Sequence, residues 1–259
     1  MSGFGLQLTY IGGPTALLEL GGLRLLTDPT FDPGGTEYPR PGDVLRKTRG
    51  PAMSADAIGA VDVVLLSHDH HPDNLDHAGR RMLARASTVV TTVAGAGRLS
   101  GNAVGLMAWQ SKDVPASGGR TLRITAAPAR HGPADGDRGP VIGFVLGFID
   151  DAGSVVYVSG DTVWYEGVEE VARRWSPLVA VLFMGAARVA VAGPSHLTLT
   201  AAEGVSAARA FPQATIVPLH FEGWAHFTES RSEIERAFQA AGLGHRLHWP
   251  EAGHPLRLP

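Results

Sequence analysis

The most constraining feature of this sequence is an apolar run that leads directly into a cluster of histidines and aspartates. Residues Val61 to Leu66 are aliphatic, rich in β-branched side chains and interrupted only by Asp62, which is typical of a short buried strand. The following residues, 67–76, read Ser-His-Asp-His-His-Pro-Asp-Asn-Leu-Asp. Imidazole nitrogens and carboxylate oxygens are ligands of borderline divalent ions such as zinc. The pattern therefore predicts a metal site at the end of a strand; the alternative is an ordinary polar surface loop.

Three further strands predicted from the sequence also end in a potential ligand. They lead into His131, Asp161 and His220. A single histidine after a strand is more often structural, but four such strand ends in one chain predict that their side chains converge at one rim of a sheet. The candidate metal ligands are His68, His70, His71, Asp73, His131, Asp161 and His220.

Composition excludes several other kinds of site and partner. The chain has no cysteine, so disulfides, thiolate metal sites and a cysteine nucleophile are excluded. A net charge of −3 gives no basic footprint for nucleic acid and no polybasic patch for a membrane surface. Residues Met1 to Phe4 lack the basic start of a signal peptide, and no stretch is apolar enough to span a bilayer. We therefore expect a cytoplasmic protein that acts on a small molecule, without nucleic-acid or membrane partners, and that could form a homo-oligomer.

The order of predicted elements favours two sheets packed face to face in a single domain, residues 1–259. The chain opens as an antiparallel meander, with strands over 6–11, 16–20 and 23–27. Residues 28–51 hold five prolines and four glycines, and predict a long loop that either covers a site or is a mobile excursion. Further strands are predicted over 61–66, 88–92, 105–109, 120–126, 141–149, 154–159, 179–183 and 215–219. Helices are predicted over 55–59, 76–86, 94–101, 164–175, 200–211 and 230–241.

With these motifs in place, the chain resembles the metallo-β-lactamase-fold superfamily of metal-dependent hydrolases. It is most similar to the branch that includes L-ascorbate-6-phosphate lactonase and N-acyl-phosphatidylethanolamine phospholipase D. The resemblance extends from the opening hairpin with Thr27-Asp28-Pro29 to His220. It implies an α/β (α+β) fold, a four-layer αββα sandwich of two mixed sheets with helices on the outer faces. The metal site would lie at the edge between the sheets, with Asp28 as a support for the loop.

The resemblance also implies how the ligands are divided and which ions they hold. One ion would be held by His68, His70 and His131, and a second by Asp73 and His220, with Asp161 between the two. The expected cofactor is one or two divalent ions, zinc in the first place, with manganese or iron(II) as alternatives.

The sequence departs from the usual His-x-His-x-Asp-His motif of that family. It is one residue longer, and Asn74 stands where the third histidine is expected. A second register would align Asp69 and His71 with the two leading histidines; we prefer the register that begins at His68, because the preceding Leu-Ser fits the family pattern. In that register His71 could replace the missing histidine. A pocket histidine is also missing, because Gly12-Gly13-Pro14 stands where relatives often have Gly-His-Ala.

As a hypothesis, the site hydrolyses an ester, lactone, amide or phosphoester with metal-activated water. Asp73 or Asp161 could accept the proton of that water, and His196 could donate one to the leaving group. Phe221, Trp224 and His226 follow the last predicted ligand; as aromatic residues they are interpreted either as a pocket rim or as core beneath the loops. Arg130 and Arg138 are the nearest cationic side chains to His131 for an anionic substrate.

Two other classes of function remain open. A metal-binding protein of the same fold without hydrolytic turnover would also explain the loss of a histidine at Asn74. A nuclease-type phosphodiesterase would use the same fold, although the absent basic patch argues against it.

Overall fold

Two β-sheets lie face to face in this computed structural model, which describes residues 5–151, 153 and 155–259. The strands are β1 Leu6–Gly12, β2 Thr15–Leu20, β3 Leu23–Thr27, β4 Glu37–Arg40, β5 Asp43–Arg46, β6 Val61–Leu65, β7 Ala86–Thr92, β8 Ala103–Leu106, β9 Ser111–Pro115, β10 Thr121–Pro128, β11 Ile142–Phe148, β12 Val155–Val158, β13 Val179–Phe183, β14 Thr215–Leu219 and β15 Pro255–Leu258. The α-helices are α1 Ala55–Ile58, α2 His77–Met82, α3 Val93–Leu99, α4 Glu166–Arg174, α5 Ala201–Ala210 and α6 Arg231–Ala240.

Both large sheets mix parallel and antiparallel pairs. The first has seven strands in the order β15-β1-β2-β3-β6-β7-β8, and the second has six in the order β14-β13-β12-β11-β10-β9. The opening β1–β3 meander is antiparallel, as predicted, and β3, β6, β7 and β8 then run parallel. In the second sheet, β12, β13 and β14 are parallel. Strands β4 and β5 form a separate hairpin.

Alternation along the strands creates the layers, because successive side chains in a strand point to opposite faces. In β12, Val156 and Val158 pack between the two sheets, whereas Tyr157 packs outward against α4 to α6. In the first sheet, Val64 of β6 packs outward against Met82 of α2. The predicted αββα sandwich is therefore confirmed.

The sequence predictions missed four strands and misplaced one strand end. The proline-rich residues 28–51 contain the β4–β5 hairpin, and β9 and β15 are edge strands without a strong apolar alternation. The strand predicted over 105–109 ends at Leu106, because Trp109 has a left-handed backbone with φ 72°. The prediction at Met1 to Phe4, and the parts of the 150–153 turn and the 154–159 strand at Ala152 and Ser154, lie outside the described residues.

Several strand ends meet at one edge of the sandwich. The Ile142 N–H at the start of β11 donates to the Ser67 carbonyl just after β6 at 3.1 Å, which joins the two sheets at this edge. The ends of β10, β12 and β14 lie in the second sheet beside that junction. This edge therefore brings together the four sequence segments that carry the candidate ligands.

The β4–β5 hairpin is fastened over the same edge by buried polar and apolar contacts. Lys47 pairs with Asp76 at 3.0 Å, and both side chains are buried. Tyr38 and Leu45 pack with Trp224 from the loop after β14. Among the described residues, no helix is long and apolar enough to cross a membrane.

Candidate metal centre

Three imidazole nitrogens from two segments of the chain converge on one point. The distance from His68 Nε2 to His71 Nδ1 is 2.9 Å, and that from His131 Nε2 to His71 Nδ1 is 3.2 Å. Ligand nitrogens at zinc bond lengths of about 2.1 Å lie roughly 3–3.5 Å apart around one ion. The spacing therefore fits three ligands of a single divalent ion.

Neighbouring groups fix which nitrogen of each ring faces that point. His131 Nδ1 lies 2.9 Å from the Leu197 carbonyl, an acceptor, so Nδ1 carries the proton and Nε2 has a free lone pair. His68 Nδ1 lies 2.9 Å from the Ser67 hydroxyl, which can accept its proton in the same way. Burial lowers the pKa of His68 well below its usual value and that of His71 to about 3. The rings of His68 and His71 are therefore neutral, as metal ligation requires.

His70 lies beside this cluster, and one of its ring nitrogens bonds to the backbone. It is exposed, and its Nε2 donates to the Arg138 carbonyl at 2.8 Å. His68, His70 and His71 do form a group whose ligand atoms lie within 4.8 Å of one another, so the predicted ligation by His70 stays a prediction. Asp69, the first residue of the second register, binds the Arg98 guanidinium through both oxygens, at 2.5 and 2.8 Å.

A second group of ligand atoms adjoins the first. Asp161 Oδ2 lies 3.6 Å from His131 Nε2, and its Oδ1 lies 3.4 Å from His220 Nε2. His220 Nε2 lies 3.7 Å from Asp73 Oδ2. Asp161 therefore stands between the two groups, with one oxygen towards each.

The buried groups at this second position have no other partner in the described part of the chain. Neither oxygen of Asp161, and neither ring nitrogen of His220, makes a hydrogen bond of normal geometry to a described residue. A carboxylate at 1% exposure that has no hydrogen bond is costly in a protein interior. A divalent cation would remove that cost, so the residues present fit a metal centre with nitrogen and oxygen donors.

Nearby imidazoles keep both carboxylates ionised. Burial alone would raise the pKa of Asp73, but the hydrogen bond from His226 and the proximity of His220 outweigh burial and hold that pKa well below its usual value. At Asp161, His220 likewise outweighs burial, and the pKa is lowered. Both side chains therefore carry the negative charge that a cation site needs.

The backbone around these ligands is tightly constrained. Gly160, just before Asp161, has φ +59°, and a Cβ there would lie 2.7 Å from the Ile142 carbonyl oxygen. His220 also has a left-handed backbone, with φ 53°, which is uncommon for a residue other than glycine. Its N–H donates to the Gly13 carbonyl at 2.9 Å. These contacts fix the two loops that present Asp161 and His220.

Asp28 supports the loop after β6 from below. Its Oδ1 accepts the Ser67 N–H at 2.6 Å, and burial raises its pKa well above the usual value. Asn74 is fully buried and close enough to Asp28 to lower that pKa, but neither of its polar atoms has a hydrogen bond of normal geometry to a described residue. Asn74 thus lies beside Asp28, beneath the loop that follows β6.

His196, the predicted proton donor, pairs with Glu203. Its Nε2 lies 3.0 Å from the Glu203 carboxylate, and this contact raises the pKa of His196. Glu203 is also the capping-box partner of Thr200 at the start of α5, as predicted. His196 is not among the residues that line the cavity at the cluster, and its catalytic role stays a prediction.

The cavity beside the cluster is lined by two cationic side chains, of which the sequence analysis predicted one. It is lined by Arg40, Leu45, His71, Asp73, His131, Arg138, Ala187, Val189, Leu197 and His226. Arg138 was predicted, but Arg40 of β4 was not, because the hairpin that carries it was read as a loop. Arg130 instead lies over the Tyr165 ring, 4.4 Å from its centre.

His226 was predicted only as an aromatic neighbour of the ligands, yet it contacts one of them directly. Its Nε2 lies 3.1 Å from Asp73 Oδ2, and its side chain is 9% exposed. Trp224, on the same loop, fills the space beside Gly13, because a Cβ on Gly13 would lie 3.0 Å from the indole Nε1. The position of the missing pocket histidine is thus occupied by a tryptophan from another part of the chain. No sequence periodicity indicates either contact.

Comparisons with known proteins agree with this fold. A family profile described as a beta-lactamase superfamily domain matches residues 23–221. The UPF0173 protein YddR of Bacillus subtilis is 24% identical over 257 residues, covering 96% of this chain and 98% of the relative. A protein of Koribacter versatilis, named a UPF0173 metal-dependent hydrolase, is 26% identical over 242 residues, or 90% of this chain and 91% of the relative.

Solved structures show the same architecture over nearly the whole chain. The isothiocyanate hydrolase from Delia radicum gut bacteria matches with a TM-score of 0.82 at 23% identity, covering 96% of this chain and 98% of that one. A possible metal-dependent hydrolase from Veillonella parvula also has a TM-score of 0.82, at 19% identity and with the same coverage. These likenesses establish the fold.

Proposed function

The chain belongs to the β-lactamase superfamily, and we propose that it is a metal-dependent hydrolase of small anionic esters, lactones or phosphoesters. The observation that carries this proposal is the convergence of three imidazole nitrogens beside the buried carboxylate of Asp161, whose oxygens have no hydrogen-bond partner among the described residues. When bound, divalent ions make hydroxide available from water at neutral pH and accept the charge that develops on the substrate.

The geometry favours His71 over His70 as the second imidazole of the first site. His71 Nδ1 lies 2.9 Å from His68 Nε2 and 3.2 Å from His131 Nε2, whereas His70 shares a ligand group only with His68 and His71. We therefore assign the first ion to His68, His71, His131 and Asp161. The second ion is assigned to Asp73, Asp161 and His220.

Asp73 is the acidic side chain best placed to take the proton released from water. It lines the cavity, whereas Asp161 does not. It also lies within 3.7 Å of His220 and 3.1 Å of His226, so imidazoles stabilise its charge on two sides. The expected donor to the leaving group, His196, requires a separate test because its ring bonds to Glu203.

Arg40 and Arg138 give the cavity a preference for a negatively charged substrate. Both line it together with the ligand side chains. The Arg40 guanidinium also pairs with Asp43 at 2.8 Å, but its Nε atom is buried without a hydrogen-bond partner among the described residues. The free volume inside this cavity is about 10 Å³, room for about one water molecule, and we propose that Arg138 or the β4–β5 hairpin moves to admit a substrate. We propose that this hairpin is the cover predicted from residues 28–51.

Zinc as the ion, a cytoplasmic location and a homo-oligomeric state stay proposals of the same kind. The resemblance to the lactonase and phospholipase D branch also stays a prediction. A small-molecule substrate is favoured over nucleic acid because the chain has a net charge of −3 and the cavity is small.

The test compares metal-loaded wild type with Arg138→Ala on matched anionic and uncharged ester substrates. We expect turnover of the anionic substrate, and about a tenfold rise in KM with Arg138→Ala for that substrate alone, equivalent to about 1.4 kcal/mol. Arg123→Ala is the control, because Arg123 is exposed and paired with Asp113 on the β9–β10 edge. Equal loss on both substrates would contradict the anion preference. No turnover of any ester, lactone or phosphoester would contradict the hydrolase.

A further inference from the structure

We propose that His226 is a ligand of the second ion and takes the place of the histidine that the motif lacks at Asn74; this rests on the metal centre of the proposed function. The second group, Asp73, Asp161 and His220, supplies only one imidazole. His220 Nε2 lies between the two carboxylates, 3.4 Å from Asp161 Oδ1 and 3.7 Å from Asp73 Oδ2, so the three residues form a chain of close contacts. His226 extends that chain by a further 3.1 Å from Asp73.

The chemistry of His226 suits ligation. Its ring is nearly buried, and its Nδ1 has no hydrogen-bond partner among the described residues. Its Nε2 lies closest to the same carboxylate oxygen of Asp73 that lies nearest His220. Ligand atoms around one zinc lie roughly 3–3.5 Å apart, so His226 Nε2 is at ligand spacing from Asp73.

Asn74 does not line the cavity at the cluster, although its position in the motif suggests a ligand. It is fully buried and influences Asp28, which lies beneath the loop and accepts the Ser67 N–H. A primary amide is in any case a weaker zinc ligand than an imidazole. The site therefore needs its second imidazole from elsewhere, and His226 lies directly beside Asp73.

The loop that carries His226 is held in place by two other parts of the fold. The Arg188 N–H donates to the His226 carbonyl at 2.9 Å, and the Ala225 N–H donates to the Arg46 carbonyl of β5 at 3.0 Å. The ring also packs on Phe227, with 4.6 Å between ring centres. His226 is therefore positioned before any ion binds, and its position depends on the β4–β5 hairpin.

The competing role for His226 is a hydrogen-bond donor that only orients Asp73. The two roles differ in the proton on Nε2, because a ligand nitrogen has none and a donor nitrogen keeps it. They also differ in their tolerance of glutamine, because a Gln amide can donate to Asp73 but replaces an imidazole poorly as a zinc ligand.

The experiment measures zinc equivalents and dissociation constants by chelator competition in wild type, His226→Ala and His226→Gln. We expect two equivalents in wild type, and in both variants an unchanged tighter equivalent with the second weakened at least about 100-fold, beyond the usual effect of an outer partner. His254→Ala removes an exposed histidine and is expected to change neither equivalent. Restoration of the second equivalent by His226→Gln would overturn the proposal and make His226 a positioning residue.

Long-range ¹H–¹⁵N NMR of the two-zinc wild-type protein decides the point without any variant. We expect no proton on His226 Nε2, and a proton there would overturn the proposal. Two normal zinc equivalents in His226→Ala would exclude His226 as a ligand and leave the metal centre intact. Wild type without zinc would instead contradict the proposed function, and with it the proposal for His226.

Discussion

The buried ion pair between Lys47 and Asp76 fastens the hairpin over the metal centre, and its loss is expected to destabilise the fold substantially. Asp76 Oδ2 accepts from Lys47 Nζ at 3.0 Å and from the Asp32 N–H at 2.7 Å. Its Oδ1 accepts from the Phe31 N–H at 2.9 Å and, as the N-cap of α2, from the Gly79 N–H at 2.7 Å. One carboxylate thus joins the hairpin, the loop after β3 and the start of α2.

The two single substitutions are expected to differ in cost. Lys47→Met leaves the carboxylate with three N–H donors and the helix N-terminus, so the cost should lie at the low end for a broken buried pair, about 3 kcal/mol. Asp76→Asn leaves a buried ammonium without its counter-ion and turns an amide NH₂ towards backbone N–H groups. Its cost should lie at the upper end, about 5 kcal/mol.

Urea unfolding of the metal-loaded protein, followed by circular dichroism, measures both costs from the shift in midpoint at constant m-value. The control is the exposed pair of Arg123 and Asp113, where Asp113→Asn should cost less than about 1 kcal/mol. The double variant of Lys47 and Asp76 should cost less than the sum of the single variants, because each removes the same interaction. The reasoning is refuted if Lys47→Met costs less than 1 kcal/mol, or if it costs more than Asp76→Asn.

Three further predictions concern the metal, a histidine pair and an arginine. Chelation should lower the melting temperature, because it removes the cation that neutralises the buried Asp161 carboxylate. Calorimetry with and without zinc measures this change, and an unchanged melting temperature would contradict a bound ion. Since Glu203 raises the pKa of His196, the pair stabilises the fold below about pH 6.5, and this stabilisation is lost as pH rises through the raised pKa. The difference in unfolding free energy between wild type and His196→Gln should therefore be larger at pH 5.5 than at pH 9, and the opposite trend would exclude the pair. Burial would raise the pKa of Asp69, but Arg98 outweighs burial and lowers it. Arg98→Met should therefore reduce the free energy of unfolding by about 1 kcal/mol at pH 7 and by progressively less as pH falls below about 4, and a loss that does not change with pH would count against the ion pair.

The layers and the edge that bears the site were predictable from sequence because they follow from local patterns. Short apolar strands ending in His131, Asp161 and His220 gave both the sheet and its functional rim. The capping box at Thr200 and Glu203 likewise fixed the start of α5. Each of these signals is contained within a few neighbouring residues.

The register inside the histidine cluster was not predictable, because it depends on how one extra residue is accommodated. The N–H groups of Asn74 and Leu75 both donate to the His71 carbonyl, at 3.1 and 3.0 Å, and so close a turn around Pro72. That turn directs His71 rather than His70 towards His131. The choice between the two depends on three-dimensional closure, which a linear motif does not contain.

The positions of His226 and Arg40 at the cavity were missed for a similar reason. Neither residue follows a buried strand, and each reaches the cavity only through the packing of the β4–β5 hairpin against the loop after β14. The hairpin itself was hidden because its prolines and glycines suppress strand signals. Contacts of this kind appear only when distant segments are assembled.

The most direct test of the metal centre is the zinc content of wild type, His71→Ala and His70→Ala, measured by elemental analysis after reconstitution and removal of free metal. We predict two equivalents in wild type and in His70→Ala, because His71 Nδ1 is the nitrogen that lies 2.9 Å from His68 Nε2 and 3.2 Å from His131 Nε2, and at most one in His71→Ala. Loss of zinc with His70→Ala but not with His71→Ala would contradict the assigned ligands, and a wild-type protein without zinc, manganese or iron would contradict the metal centre itself.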